Sequence, residues 1–212
     1  MTQTALLASG ISEMQLDVSI DTQQKLLAYL SLLQKWNKVY NLTAVRDPLE
    51  MVTLHLLDSL SVMPYVNANN LLDVGSGGGL PGIVLAICKP TLQVTTIDTV
   101  QKKAIFMRQV KGELGLSNLT VVHARVESYK PMEKFDSIIS RAFSEIGLFI
   151  KLTQHLLAEN GKWLAMKGQV SHEEFDGFEK NLNKLIKIKN IIPLKVACLN
   201  AERNLLVLES HE

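Results

Sequence analysis

The chain has 212 residues, 47% of them hydrophobic, which is ample for a buried core and excludes a disordered protein. With 22 basic and 21 acidic side chains it has a net charge of +1, so any contact with a polyanion rests on local patches; aromatic residues, at 6%, count against a base-stacking RNA module. Cys88 and Cys198 stand far apart with no C-x-x-C or Cys/His cluster, the start from Met1 to Gly10 lacks a positive n-region, and no apolar run approaches membrane-spanning length, so a cytoplasmic protein with no structural metal and no membrane partner is expected.

In chain order, Asp21-Thr22-Gln23-Gln24 resembles a capping box, and Leu26, Leu27, Leu30, Leu33 and Val39 follow at helical spacing as far as Tyr40. The segment Asn41-Leu42-Thr43-Ala44-Val45-Arg46-Asp47 breaks that pattern. A second helix is predicted from Pro48 through Met51, Leu54, Leu57, Leu60 and Val62. These helices precede any strand, which predicts a helical appendage over residues 1–66 lying against the ligand side of an α/β domain over 67–212, the whole forming one compact unit.

From Asn70 onward strands and helices alternate: strand Leu71 to Val74, helix Pro81 to Lys89, strand Val94 to Asp98, helix Lys102 to Leu114 with Gly115 as its stop, and strand Leu119 to His123. Strand Phe135 to Ser140, helix Glu145 to Leu157, strand Gly161 to Lys167 and helix Glu173 to Leu185 follow. Ile188 to Val196 and Leu205 to Glu209 read as a closing hairpin. About seven strands with such a pair fit the Rossmann-like, doubly wound sheet of class I methyltransferases better than a six-strand dinucleotide sheet.

The organising stretch is Leu71-Leu72-Asp73-Val74-Gly75-Ser76-Gly77-Gly78-Gly79-Leu80-Pro81-Gly82, a buried strand, a glycine turn and a helix start. Its glycines allow positive φ and close approach of a ligand to unpaired backbone N–H groups. Asp98 closes the next strand at the spacing of a ribose contact, so the pair reads as a nucleoside-cofactor site. Two cofactors compete. Gly77, Gly79 and Gly82 fit the dinucleotide pattern G-x-G-x-x-G, whereas Asp73 with Gly75, Gly77 and Gly79 fits the acidic-then-glycine pattern of S-adenosylmethionine enzymes. A carboxylate at the strand end disfavours a pyrophosphate and favours a sulfonium-bearing amino acid, so Asp73 tips the reading toward S-adenosyl-L-methionine. A tight turn in a domain without any ligand is the plain alternative.

Ligands of open α/β sheets lie beyond the carboxyl ends of the strands, which nominates Asp73, Gly75, Asp98, Ala124 to Glu127, Ser140-Arg141-Ala142 and Lys167. Asp98 is read as the ribose ligand or as a solvated carboxylate. Val126 can pack on an adenine and Glu127 can take its amine, or Glu127 caps the next segment. Arg141 offers a fork for a carboxylate or phosphate, or forms a surface ion pair; Lys167 and Arg203 reach substrate phosphate or are solvated charges. The Lys180, Lys184, Lys187, Lys189 run reads as a solvated face.

Val74 at the first position of Gly-x-Ser-x-Gly excludes a nucleophile elbow, no G-x-x-x-x-G-K-[ST] exists, and His172-Glu173-Glu174-Phe175-Asp176 fails H-E-x-x-H at its last residue. No Pro-Pro supports an exocyclic-amine clamp, and no Pro-Cys offers a nucleophile for pyrimidine C5. What is left is methyl transfer to an atom that already carries a lone pair. Guanine N7 is such an atom, and its methylation asks only for positioning, desolvation and balance of charge. Two rivals stay open, an NAD-dependent oxidoreductase and a non-enzymatic RNA-binding or assembly factor.

Several blocks resemble the bacterial small-subunit ribosomal RNA guanine-N7 methyltransferases, the glucose-inhibited division protein B family. They are Lys35-Trp36-Asn37-Lys38-x-Tyr40-Asn41-Leu42-Thr43, Asp47-Pro48, His55-x-x-Asp58-Ser59, Asp73 to Ile83, Asp98 with Lys102-Lys103, Arg125-Val126-Glu127, Ser140-Arg141-Ala142-Phe143 and Lys167-Gly168. They run in order over nearly the whole length. The resemblance implies transfer from adenosylmethionine to N7 of one guanine in 16S ribosomal RNA, within the small subunit or its precursor, by an expected monomer. It implies Gly75, Leu80, Val126, Glu127 and Arg141 as cofactor contacts with Asp98 at the ribose, and Asn41, His55, Arg125, Lys167 and Arg203 on the substrate side. Asn41 and His55 read equally as buried groups tying the appendage down. Leu54 stands where a basic residue is expected, and Thr99 where Ser is usual.

Overall fold

The computed structural model describes residues 1–141, 143, 145–170 and 186–210. Seven strands form one sheet in the order β3-β2-β1-β4-β5-β7-β6. They are β1 (Asn70–Val74), β2 (Gln93–Asp98), β3 (Leu119–His123), β4 (Phe135–Ser140), β5 (Leu157–Lys167), β6 (Ile186–Pro193) and β7 (Asn204–Ser210). The first five are parallel, and β7 inserts antiparallel between β5 and β6. Parallel strands are covered on both faces, which is why β1 reads as a continuous apolar run, with Leu71, Leu72 and Val74 buried. The order reverses between β1 and β4, where the carboxyl ends of the strands open a crevice. There the Ser140 hydroxyl donates to the Val74 carbonyl at 2.8 Å, tying the two strand ends.

Before the sheet come α1 (Gln3–Glu13), α2 (Ile20–Tyr40), α3 (Pro48–Met51) and α4 (Asp58–Leu60), with a π-helical segment, Val52–Leu57, joining the last two. The first of these has no counterpart in the sequence reading. A Cβ on Gly10, within it, would stand 2.5 Å from Leu57 Cδ1, so the glycine lets the helix lie close on its neighbour. The cap of α2 is Ser19, whose side chain accepts from Thr22 N at 3.2 Å, and Asp21 of the expected capping box sits in the first turn. The regular helix expected from Pro48 to Val62 is interrupted because the wider π turn shifts the buried face, bringing His55 and Asp58 inside with Leu56 and Leu57.

Within the domain, α5 (Gly82–Cys88) begins one residue later than expected, with Pro81 as its N-cap, and α6 (Gln101–Leu114) ends at Gly115 with φ 63°. The helix α7 (Ile146–Thr153) stops short of Leu157, since Leu157 pairs with Phe135 as the start of β5. Thr153 marks the exit: its hydroxyl donates to the Phe149 carbonyl at 2.7 Å and lies 2.9 Å from Trp163 Nε1. The expected helix Glu173 to Leu185 and Ala142 lie outside the described residues. One hydrophobic cluster runs from Leu7, Leu26 and Leu33 through Leu57, Ile83 and Phe106 to Leu205, so the N-terminal helices and one face of the sheet share a core. On the opposite face, Phe149 and Ile150 of α7 pack with Ile138 and Trp163.

Candidate active site

At the end of β1 the chain turns with Gly75, Gly77 and Gly79 at φ of 69°, 59° and 96°, conformations that L side chains avoid. A Cβ on Gly77 would meet only the Gly75 carbonyl at 3.9 Å, so the loop is open above the strand ends. Asp73 lies beneath it, fully buried. Its Oδ2 accepts from Gly82 N at 2.9 Å, while Oδ1 has no partner among the described residues. Burial raises its pKa to about 7, against the lowering effect of the Gly82 hydrogen bond. From the N-terminal helices, the buried Tyr29 hydroxyl donates to the Gly78 carbonyl at 2.7 Å, and Leu33 packs on the same glycine. Leu80 closes the loop as a buried side chain.

Asp98 ends β2 beside this loop. Its Oδ2 accepts from Gly77 N at 2.9 Å, its Oδ1 accepts from Val100 N at 2.8 Å, and Lys103 Nζ stands 3.6 Å away. Each oxygen keeps a further lone pair, so the carboxylate both braces the glycine turn and can accept from a ligand hydroxyl. It is therefore not a solvated strand-end charge, being only 6% exposed. After β3, Val126 is buried in a single 3₁₀ turn flanked by the exposed Arg125 and Glu127; the turn has no side-chain cap.

The second half of the site is a cleft of about 400 Å³ lined by Val45, Leu54, His55, Asp58, Arg141, Met166, Lys167, Gly168 and Arg203. Arg141 follows β4, Lys167 ends β5, and Arg203 precedes β7, whose first residue pairs with Lys167, so three cations from three strands meet at one edge of the crevice. Arg141 Nη1 donates to the Leu54 carbonyl at 2.9 Å and to Asp58 Oδ2 at 2.8 Å; Arg203 Nε donates to Asp58 Oδ1 at 2.9 Å. Leu54 takes part through its carbonyl, and its apolar side chain supplies no cation at the position where a basic residue is expected. His55 Nε2 is 3.0 Å from Thr43 Oγ1, and its buried Nδ1 has no partner among the described residues. Burial first, and then the Arg141 charge, lower its pKa to about 4, so the ring is neutral at physiological pH.

The loop before this cleft is held by a side chain the sequence reading left without a role. Buried Asn37 accepts from Thr43 N at 2.9 Å and donates to the Val45 carbonyl at 3.2 Å. Asn41 itself is exposed in the left-handed region and accepts from Arg46 Nη2 at 2.6 Å; it does not line the cleft, and neither does Arg125. Sequence reasoning also passed over Asp58 and Tyr29. The spacing His55-x-x-Asp58, one helical turn, was the available signal for Asp58.

Among the described residues no group of three or more His, Cys, Asp or Glu side chains can hold a metal, and no helix is long and apolar enough to cross a membrane. The donor set instead fits an amino-acid nucleoside: a buried carboxylate with an unpartnered oxygen, an open glycine turn, and a second carboxylate at the next strand end. Fold and site define a class I methyltransferase dependent on S-adenosylmethionine. A solved SAM-dependent methyltransferase from Thiobacillus denitrificans in complex with S-adenosyl-L-homocysteine shares the fold, with a TM-score of 0.52 at 14% identity over 73% of this chain and 90% of that one. The GidB family model, described as rRNA small subunit methyltransferase G, matches residues 22–207, and the chain belongs to that family. Ribosomal RNA small subunit methyltransferase G of Methylobacillus flagellatus is 60% identical over 206 residues, covering 97% of this chain and 98% of that protein. The protein of the same name from Aromatoleum aromaticum is 51% identical over 210 residues, at 97% and 98% coverage.

Proposed function

We propose that this methyltransferase acts on N7 of a specific guanine in 16S ribosomal RNA of the small subunit, as a monomer in the cytoplasm. The observation that carries the reading is the cation-lined cleft beside the glycine turn, which joins Arg141, Lys167 and Arg203 to a neutral His55. On this reading Asp73, Gly75, Gly77, Leu80, Asp98, Val126, Glu127 and Arg141 serve the cofactor side. Asn41, His55, Arg125, Lys167 and Arg203 serve the RNA side. Residues 1–66 act as an appendage that props the cofactor turn through Tyr29.

When bound, S-adenosylmethionine supplies an electrophilic methyl on a sulfonium. Guanine N7 carries its lone pair in the plane of the base and no proton, so none has to be removed for attack and no general base is required. Such a transfer would create no new charge, so the residues have to orient the two partners and exclude water. Arg141, Lys167 and Arg203 grip anionic groups at the rim, while His55, held neutral, adds no charge that would repel the product. The two free cysteines, Cys88 and Cys198, suit a reducing compartment.

The test is transfer of labelled methyl from S-adenosylmethionine to small subunits from a strain lacking this protein, with the product nucleoside identified by chromatography. The expected label is 7-methylguanosine. A different methylated nucleoside, or no label while the cofactor binds normally, refutes the assignment.

A further inference from the structure

The cleft contains an acid that neither the cofactor chemistry nor the base chemistry calls for. Asp58 is 2% exposed, and its two oxygens are divided between two strands: Oδ2 accepts from Arg141 Nη1 at 2.8 Å, and Oδ1 accepts from Arg203 Nε at 2.9 Å. The two arginine side chains are 29% and 25% exposed, so the carboxylate lies more deeply than the cations that share it. Among the described residues, Nη2 of neither arginine makes a hydrogen bond, leaving each a donor for an anion at the rim. Asp58 is itself held: it follows the π-helical segment directly, and its carbonyl accepts from the Ser61 hydroxyl at 2.6 Å.

Two guanidiniums repel at this range, and long flexible stems would let them part into solvent. A purely structural ion pair needs one cation per acid. Here one short acid is shared by two cations, which fixes their separation and leaves the cluster of three side chains with a net positive charge toward the cleft. We propose that Asp58 is a positioning residue that holds Arg141 for the cofactor side and Arg203 for the RNA side, so that one side chain touching neither ligand sets the affinity for both. This rests on the roles given to the two arginines above.

The experiment measures the Kd for S-adenosylmethionine by calorimetry and the KM and kcat for methyl transfer to small subunits, with thermal unfolding alongside, in Asp58→Asn, Asp58→Glu, Arg203→Ala and the double variant Asp58→Asn/Arg203→Ala. Asp58→Asn keeps an acceptor for one arginine and turns an amide toward the other. It is expected to raise both Kd and KM tenfold or more, while the double variant has a KM within twofold of Arg203→Ala alone. Asp58→Glu keeps the charge, and with it the fold, but displaces both guanidiniums by a methylene; it is expected to raise both constants at least threefold. Equal constants in Asp58→Glu and wild type overturn the proposal, as do multiplying effects in the double variant. If Arg203→Ala leaves KM unchanged, the role of Arg203 on the RNA side fails first; if it raises KM and the Asp58 variants do not, only the positioning role fails.

Discussion

A single methyl group placed on Gly82 tests how the cofactor turn is built. A Cβ there would stand 2.7 Å from Asp73 Oδ2, 2.8 Å from Thr96 Cγ2 and 3.0 Å from Asp73 Cβ. Neither neighbour can retreat, because Asp73 and Thr96 are fully buried partners across β1 and β2. Forcing the atom in costs about 1–3 kcal/mol of overpacking. Displacing the 2.9 Å hydrogen bond from Gly82 N to Asp73 Oδ2 adds about 1.5–3 kcal/mol, the range for a bond to a charged group. Alanine returns about 1 kcal/mol as the better helix former. The net loss for Gly82→Ala is about 3 kcal/mol, which lowers Tm by roughly 6–12 °C in a domain of this size. Thermal unfolding followed by circular dichroism, with and without S-adenosylmethionine, reads the effect. A Tm within about 2 °C of wild type, the midpoint of the range being far larger, refutes the close approach of α5 to β1.

Asp73 predicts a pH dependence. Its folded-state pKa of about 7 lies above the ordinary 3.8 because of burial, so the native protein holds a proton that the unfolded chain releases between those values. The contribution favours folding below pH 3.8, declines as pH rises through the window from 3.8 to about 7, and is constant above it; across the window it amounts to about 4 kcal/mol. Urea unfolding of wild type and Asp73→Asn over that range should show the variant gaining on wild type as pH rises, and parallel curves would count against a buried, partly protonated Asp73. Tyr29→Phe leaves the buried Gly78 carbonyl without its donor, at a cost of about 1–3 kcal/mol, and loosens the turn from below. Both Tm and cofactor affinity should fall, the latter about threefold to tenfold at the lower end of that range; a drop in Tm alone would confine Tyr29 to the core.

The glycine turn and its two carboxylates, the half of the site assigned above to the cofactor, were legible because they are local. Asp73, the glycines at 75, 77 and 79, and Asp98 fall within one strand-turn-helix-strand unit, where positive φ and strand ends leave marks in the residue types themselves. Asn41 and Arg125, which the resemblance groups with His55, Lys167 and Arg203, lie outside the cleft that the other three line. The N-terminal helices were harder. Gly10 and the π-helical turn at Val52–Leu57 both break the periodicity for reasons that lie in the neighbouring element.

By itself, the sequence determined the alternation of strands and helices, the closing pair, the glycine turn and its two carboxylates, since each depends on neighbours a few residues away. Only the tertiary structure decided which distant groups meet. Tyr29 reaches Gly78 across 49 residues, Asp58 reaches Arg141 across 83 and Arg203 across 145, and His55 loses its charge through burial beside Arg141. The reason is physical: backbone conformation follows from local sterics, whereas the partner of a buried polar group is set by packing, which a linear pattern does not record.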